Sequence, residues 1–99
     1  MKKGGCVYII TNQYNKVLYT GVTSDLYCRV KEHKEKTHPH SFSAKYNCDK
    51  LVWYESYPRI EEAIDVEKRI KGGSRKAKEQ LINERNPEWN DLWEEVSMW

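Results

Sequence analysis

Apolar and polar positions near the N-terminus follow the two-residue period of β-strands. β-Branched and aromatic residues fill much of positions 6–11 and 17–22, and turn-forming residues at 12–16 separate these two runs. This arrangement predicts a β-hairpin. If the hairpin closes with a loop of about four residues, Tyr8 lies opposite Tyr19 and both phenols occupy one face of the sheet. A shift of one residue would instead place the two phenols on opposite faces.

The next segment has the period of a helix. Ser24 is a suitable N-cap for a helix over about residues 25–36, and His33 lies on the apolar face of that helix. Residues 37–49 are polar and are predicted to form a long connection between this helix and a third strand.

A third strand and two more helices complete the predicted order, ββαβαα. Such an order favours an α+β fold, in which a small three-stranded antiparallel sheet is flanked by helices in the manner of an α/β sandwich. Trp53, Trp89 and Trp93 are expected to fill much of the core. The remaining predicted elements are a strand at 51–57 that stops at Pro58, a helix at about 60–71 that ends at Gly72-Gly73, a helix capped by Ser74 that reaches about Arg85, and a short tail capped by Asn90.

Length and composition limit the class of protein. The 99 residues, of which 38% are hydrophobic and 12% aromatic, suit one globular domain over residues 1–99, with a core at about 5–93 and a short C-terminal tail. A net charge of +2 is too small to argue by itself for a polyanionic partner. The three cysteines have no CxxC spacing, which indicates reduced thiols, and no apolar run has the length of a signal peptide or a membrane span. We therefore expect a cytoplasmic protein.

Two polar residues interrupt the apolar faces of the predicted helices. Glu67 falls near the centre of the apolar stripe of the helix at 60–71, where burial of an unpaired carboxylate would be costly. We expect Glu67 either to pair with an arginine at the edge of the core or to bind a metal ion. His33 lies on the stripe of the first helix, with Arg29 one turn earlier. A satisfied core histidine and an ion pair between Arg29 and Glu67 would explain these residues without any catalytic role.

Together with the tyrosines of the hairpin, these residues supply the functional groups that phosphodiester chemistry needs. Guanidinium groups bind phosphate oxygens in a fork and neutralise developing charge. A single carboxylate is enough for Mg²⁺, which keeps most of its waters and takes a phosphate oxygen as a further ligand. A phenol can act as a base where nearby cations stabilise the phenolate. The candidate set is Tyr8, Tyr19, Arg29, His33 and Glu67.

Five short motifs follow one another along the chain. They are Cys6-Val7-Tyr8, Tyr19-Thr20-Gly21, the segment 25–29 with His33, the segment 62–72 with Glu67, and Asn86-Pro87-Glu88-Trp89. In this order they resemble the motifs of the GIY-YIG nuclease superfamily, and most closely those of its small stand-alone bacterial proteins. The resemblance extends from about residue 5 to residue 93. The first motif reads Cys-Val-Tyr instead of Gly-Ile-Tyr and the second reads Tyr-Thr-Gly instead of Tyr-Ile-Gly, but both tyrosines and the glycine remain.

The resemblance implies a role for each candidate residue. Tyr8 and Tyr19 match the two motif tyrosines, of which one is the general base and the other orients water or phosphate, and we favour Tyr8 as the base. Arg29 matches the arginine that binds the scissile phosphate. Glu67 matches the glutamate that holds a single divalent metal, Mg²⁺ or Mn²⁺. His33 matches a position that assists proton movement or phosphate contact.

The last motif offers two asparagines. Asn86 is the better match to the asparagine near the end of the family's domain, and Asn90 stays open because related nucleases place theirs after a Pro-x-aromatic step. Most characterised relatives also carry a DNA-binding or repair domain, for which 99 residues leave no room. The resemblance therefore predicts the chemistry of the protein and leaves its target open.

A local excess of positive charge follows the third strand. Residues 66–85 contain seven basic and three acidic side chains, a local charge of +4, and an exposed ridge of this kind would bind a phosphate backbone in a salt-dependent manner. An ordinary solvated helix face is the alternative. Phe42 and Tyr46, in the connection at 37–49, either stack on an unpaired base or are ordinary loop residues. The predicted ridge consists of Lys68, Lys71, Arg75, Lys76 and Lys78.

The leading hypothesis is a metal-dependent endonuclease that hydrolyses phosphodiester bonds in DNA. Nicked, branched or damaged substrates of repair or processing are expected, because so small a domain has little surface for sequence readout. A non-catalytic nucleic-acid-binding module on the same scaffold is the alternative. A third hypothesis is an interaction subunit that delivers the site to a protein partner, and it rests on the acidic tail at 88–95 and on Trp99.

Overall fold

The protein has an α+β fold in which a three-stranded antiparallel sheet carries helices on both faces, as the sequence predicts. The computed structural model describes residues 4–98, so the prediction for Trp99 lies outside the described residues. No helix within 4–98 is long and apolar enough to cross a membrane. The strands are β1 (Gly5–Thr11), β2 (Leu18–Thr23) and β3 (Lys50–Tyr57), in the spatial order β2-β1-β3. The helices are α1 (Leu26–Glu35), α2 (Phe42–Lys45), α3 (Ile60–Lys71), α4 (Arg75–Arg85) and α5 (Trp93–Ser97).

The central strand β1 divides the core in two, because its side chains point alternately to opposite faces of the sheet. Tyr8 points to the face that α1 and α5 cover, and Ile9 points to the face that α3 and α4 cover. We call these the α1 face and the α3 face. The buried residues are Cys6, Tyr8, Ile10, Leu26, Val30, Cys48, Leu51 and Val96 on the α1 face, and Val7, Ile9, Val52, Trp53, Ala63 and Ile82 on the α3 face.

The hairpin forms where the sequence predicts it, but the predicted register is wrong by two residues. Tyr8 lies opposite Gly21 instead of Tyr19. The loop is longer than expected because Asn12 Oδ1 accepts hydrogen bonds from the backbone amides of residues 16 and 17, at 2.7 and 3.1 Å, and so closes a wider turn. Side chains alternate with a period of two, so an even shift leaves Tyr8 and Tyr19 on the same face.

Helix α1 begins one residue later than predicted, and its cap is different. Asp25, not Ser24, is the N-cap, and its Oδ1 accepts a hydrogen bond from the backbone amide of Cys28 at 3.1 Å. This hydrogen bond also lowers the pKa of the Asp25 carboxyl. The helix ends at Glu35, and its C-cap, Lys36, adopts a left-handed conformation with φ of 53°.

The C-terminal prediction is also corrected. Asn90 does not cap the last helix, which is preceded by Leu92 and begins at Trp93. Asp91 holds the start of this helix instead, because its Oδ1 accepts hydrogen bonds from the backbone amides of Trp93 and Leu51, at 3.0 and 3.1 Å. One carboxylate thereby joins α5 to β3.

Tryptophans fill less of the core than predicted. Trp53 is buried, whereas Trp89 and Trp93 are only partly buried and pack against the outside of the two core clusters. Trp89 lies in a tight turn with φ of 56° and uses its indole N–H to bind Asn83 at 2.7 Å. Aliphatic side chains from the sheet and helices supply most of the buried volume.

Candidate active site

A cavity of about 350 Å³ opens between α1, α2 and the edge strand β2. Three of the predicted catalytic residues contribute to its wall, two from α1 and one from β2. Helix α2, which the sequence did not predict, closes the opposite side. The wall is therefore built from segments that are far apart in the chain. The lining includes Tyr19, Arg29, Glu32, His33, Phe42 and Ser43.

A chain of hydrogen bonds runs from the sheet to α2 behind this cavity. The hydroxyl of Tyr8 lies 2.8 Å from His33 Nε2, and His33 Nδ1 lies 2.7 Å from the hydroxyl of Ser43. Tyr8 is 1% exposed and Ser43 is buried, so both ends of the imidazole are fixed within protein. Such two-sided contact holds the ring in one orientation.

Gly21 makes room for the phenol of Tyr8. A Cβ atom at position 21 would lie 2.4 Å from the hydroxyl oxygen and from Cζ of Tyr8. Real atoms do not approach so closely, and a buried ring has no space to withdraw. The glycine of the second motif is therefore required by the close approach of Tyr8 to the backbone of β2.

Tyr8 and His33 are both uncharged at neutral pH. Burial raises the pKa of Tyr8 to about 12, against the opposing influence of the nearby guanidinium of Arg29. Burial also lowers the pKa of His33 to about 4, and the positive charge of Arg29 acts in the same direction. The phenol thus keeps its proton, and one of the two nitrogens of the imidazole can accept one.

Arg29 points into the cavity with donors to spare. One terminal nitrogen donates to Glu32 Oε1 at 3.1 Å, whereas Nε is buried and has no hydrogen-bond partner within residues 4–98. The predicted ion pair between Arg29 and Glu67 does not form, because the two side chains extend from opposite faces of the sheet. A partly exposed guanidinium in the wall of a cavity suits an anionic oxygen such as that of a phosphate.

Glu67 is buried on α3, as its position in the apolar stripe predicts, and its side chain is 11% exposed. Its partner is a lysine and not an arginine, since Lys71 Nζ donates to Glu67 Oε2 at 3.2 Å. The ammonium of Lys71 lies 5.6 Å from the ring centroid of Tyr19. Lys71 therefore lies beside both the carboxylate of Glu67, on the α3 face, and the ring of Tyr19, on the edge strand β2. In this way it connects Glu67 to the residues of the α1 face.

A second cavity, of about 360 Å³, lies at that edge. Tyr19 and Phe42 belong to the walls of both cavities, and Lys71 and Lys78 complete the second one. Glu67 is not among the described residues that line either cavity. The carboxylate therefore lies behind Lys71 and not in the same hollow as Arg29.

Among the described residues of the site, Glu67 is the side chain that could bind a divalent metal ion. Residues 4–98 contain no group of three His, Cys, Asp or Glu side chains that could enclose a metal ion. Mg²⁺ needs only one or two carboxylates, since water and substrate phosphate complete its shell. Glu67 offers one such carboxylate, and its partner Lys71 is exposed enough to move away from it.

Asn86, the predicted last member of the catalytic set, does not reach the cavity. Its side chain is buried against β3, at the opposite edge of the sheet from β2. Its amide donates to the carbonyls of Val52 and Asn90 and accepts from the backbone amide of Asn90. These bonds join the end of α4 to the sheet.

The residues of the predicted basic ridge differ in their contacts and in their exposure. Arg75 donates to the backbone carbonyls of Asn15 and Lys16 at the tip of the hairpin. Lys71 and Lys78 line the second cavity. Lys68 and Lys76 are exposed. Arg75 therefore supports the hairpin, whereas Lys71 and Lys78 lie in a cavity wall.

Ser43 is the site residue that the sequence did not predict. Helix α2 has only four residues, too few for a helical period to show in the pattern of apolar positions. The available signal was Ser41, whose hydroxyl caps α2 by accepting from the backbone amide of Ala44 at 3.3 Å. With α2 in place, Ser43 faces His33 and Phe42 stacks on Tyr19, with ring centroids 6.1 Å apart.

Comparison with known proteins gives one family and one solved structure. The family model described as the GIY-YIG catalytic domain matches residues 4–83. The solution NMR structure of the UPF0213 protein BH0048 from Bacillus halodurans is similar to this chain, with 28% sequence identity and a TM-score of 0.56. The match covers 90% of this chain and 93% of that one. The search of curated proteins gives no match.

Proposed function

Because the chain belongs to the GIY-YIG family of nuclease catalytic domains, we propose that it is a divalent-metal-dependent endonuclease that hydrolyses phosphodiester bonds in DNA. The proposed substrates are nicked, branched or damaged DNA in repair or processing. A domain with a radius of gyration of 12.5 Å offers little surface for reading a long sequence. In the reaction, a water oxygen bonds to phosphorus, the bond from phosphorus to one sugar oxygen breaks, and that oxygen takes a proton from solvent.

The observation that supports this proposal most strongly is the position of Arg29 beside the pair formed by Tyr8 and His33. Arg29 lines the cavity and its side chain is 37% exposed, so a phosphate that enters the cavity can approach the exposed part of the guanidinium. Burial is the main cause of the low pKa of His33, and the charge of Arg29 lowers this pKa further. A phosphate bound to Arg29 would neutralise that charge and make the imidazole a better proton acceptor. Substrate binding thereby prepares His33 to accept the proton of Tyr8, the general base.

The proton of the attacking water is proposed to travel through the buried chain. Tyr8, the general base, is protonated in the free protein because burial raises its pKa to about 12. It can accept a proton from water only as it passes its own to His33 Nε2, 2.8 Å away. This transfer uses the tautomer of His33 that carries its proton on Nδ1 and donates it to Ser43. Tyr19 lines the cavity and is proposed to orient the water or the phosphate.

Glu67 is the proposed ligand of the metal, Mg²⁺ or Mn²⁺. When bound, the metal supplies positive charge that stabilises the phosphate and acidifies a coordinated water. Lys71 must leave Glu67 for this, and its side chain, 56% exposed, is free to turn towards the phosphate backbone at the second cavity. Glu67 would then bind the metal ion, and Lys71 would bind the phosphate backbone.

A non-catalytic nucleic-acid-binding module is the second candidate. The observation in its favour is the bond between Lys71 and Glu67, which occupies an oxygen of the one carboxylate proposed to bind metal. If that pair persists in the complex with DNA, Arg29 and the lysines would hold a phosphate backbone without cleaving it.

Cleavage of labelled nicked and branched DNA tests the two candidates. The parent protein is expected to cleave with Mg²⁺ or Mn²⁺ and to stop when EDTA is added. Glu67→Gln is expected to lower the rate at least about a hundredfold, because an amide is a poor ligand for Mg²⁺. Glu62→Gln is the matched control, since Glu62 is an exposed glutamate of the same helix.

The outcomes separate the candidates. Equal rates for the parent and Glu67→Gln would remove Glu67 from the mechanism. If neither protein cleaves while both bind DNA in a gel-shift assay, the binding module is the correct function.

A further inference from the structure

We infer that Phe42 is a stacking platform for an unpaired base next to the scissile phosphate, so that the protein selects single-stranded segments within its DNA substrate. This inference rests on the proposed function and names the substrate feature that the same site recognises. It is carried by the exposed ring of Phe42, which the proposed hydrolytic chemistry does not use.

The platform is the ring of Phe42, which contacts two other aromatic rings. Phe42 stacks on Tyr19 with an angle of 28° between the ring planes, and Tyr46 packs against it with ring centroids 4.7 Å apart. Phe42 is nevertheless 49% exposed. Its position is fixed because the next residue, Ser43, is buried and hydrogen-bonded to His33. An exposed and rigid aromatic ring is the feature on which single-stranded nucleic acids stack.

The location of Phe42 indicates which kind of ligand binds to its ring. Phe42 and Tyr19 form the boundary between the two cavities, so a strand whose phosphate binds Arg29 passes this ring pair to reach Lys71 and Lys78. Cations on both sides match a phosphate backbone, and Glu32, the acidic residue of the first cavity, is paired with Arg29. A base in a duplex has its faces covered by neighbouring base pairs, whereas an unpaired base can turn towards the ring.

Binding measured without cleavage tests the inference. Fluorescence anisotropy in EDTA compares a labelled single-stranded oligonucleotide with a duplex of the same length, for the parent, Phe42→Leu and Phe42→Tyr. We expect the parent to prefer the single strand, Phe42→Leu to lose about tenfold in affinity for it with little change for the duplex, and Phe42→Tyr to bind as the parent does. Tyr14→Leu is the matched control, because Tyr14 is 70% exposed and lines neither cavity.

A measurement on the parent protein avoids dependence on the folding of the variant. Irradiation with an oligonucleotide that carries 5-iododeoxyuridine is expected to crosslink the base to Phe42, as identified by mass spectrometry. Equal affinities of the parent for single strand and duplex, or unchanged binding by Phe42→Leu, would overturn the inference. A parent that shows the preference but cleaves no substrate would refute the nuclease and leave the platform intact.

Discussion

The two faces of the sheet contribute to the site in opposite ways. On the α1 face, Tyr8 and Ser43 are buried, His33 is partly buried and hydrogen-bonded to both of them, and the tyrosine and the histidine carry no charge at neutral pH. On the α3 face, the core around Ala63 is mostly apolar, and Glu67 is the one buried charged side chain within residues 4–98. That carboxylate accepts a hydrogen bond from Lys71, near the edge of the sheet.

This difference follows from the cost of burial. Neutral polar groups can lie deep in a core if each finds a hydrogen-bond partner. A charged group needs a counter-ion and some access to water. The site residues on the α1 face are therefore held by accurate packing, and Glu67 on the α3 face is held by its pairing with a charged partner. Substitutions that disturb packing are expected to have the largest effects on the α1 face.

Gly21→Ala should have the largest effect. The new methyl group would collide with Tyr8 and displace its hydroxyl from His33. We expect the free energy of unfolding to fall by about 1–3 kcal/mol and cleavage to fall at least about a hundredfold, as measured by urea unfolding and nicked-DNA assays. Gly72→Ala is the control at the end of α3, where a methyl group would make only ordinary contacts. Full activity in Gly21→Ala would show that the Tyr8 geometry is not needed.

Ser43→Ala removes only the last hydroxyl of the hydrogen-bond chain that runs from Tyr8 through His33 to Ser43. His33 Nδ1 would lose its partner at 2.7 Å, and the ring would no longer be held for Tyr8. We expect cleavage to fall about 10- to 100-fold while DNA binding stays within about twofold, by analogy with groups that orient a functional histidine. Ser24→Ala is the control, because Ser24 is exposed and does not cap α1. An unchanged rate in Ser43→Ala would exclude the proposed positioning role.

The stability of the α1 face should depend on pH through His33. Its pKa is about 4 in the folded protein and near 6.5 when unfolded, so the unfolded chain takes up a proton first as pH falls. The free energy of unfolding should therefore decrease from pH 6.5 towards pH 4, by about 1–2 kcal/mol given the partial exposure of the ring. His33→Gln should flatten this dependence in urea titrations, whereas His40→Gln, at an exposed histidine, should retain it.

The smallest effects are expected beyond the α3 face, on α4. Arg75→Ala should lower the free energy of unfolding by about 1 kcal/mol, because Arg75 holds the hairpin tip. Lys76→Ala should leave stability unchanged but reduce the slope of log affinity for DNA against log salt concentration by about one. The reverse pattern would mean that Arg75 contacts DNA and that the hairpin needs no such support.

The elements with a clear local pattern were predictable. Helix α3 has the predicted bounds, Ser74 caps α4, and Glu67 is buried as its place in the apolar stripe requires. The register of the hairpin was not predictable from the sequence. The side chain of Asn12 closes a loop that is wider than the four residues assumed in the prediction. Helix α2 escaped prediction because a helix of four residues has no detectable period.

The sequence by itself determined the fold class, the family motifs and the identity of Tyr8, Tyr19, Arg29, His33 and Glu67 as candidates, because these depend on residue type and on spacing within short segments. Only the tertiary structure decided which candidates meet. It joined Tyr8 through His33 to Ser43, paired Glu67 with Lys71 and not Arg29, and gave Asn86 and Arg75 structural contacts. The physical reason is that these contacts join separate segments, mostly far apart in the chain, and their geometry is set by strand register and core packing, which spacing along the sequence does not encode.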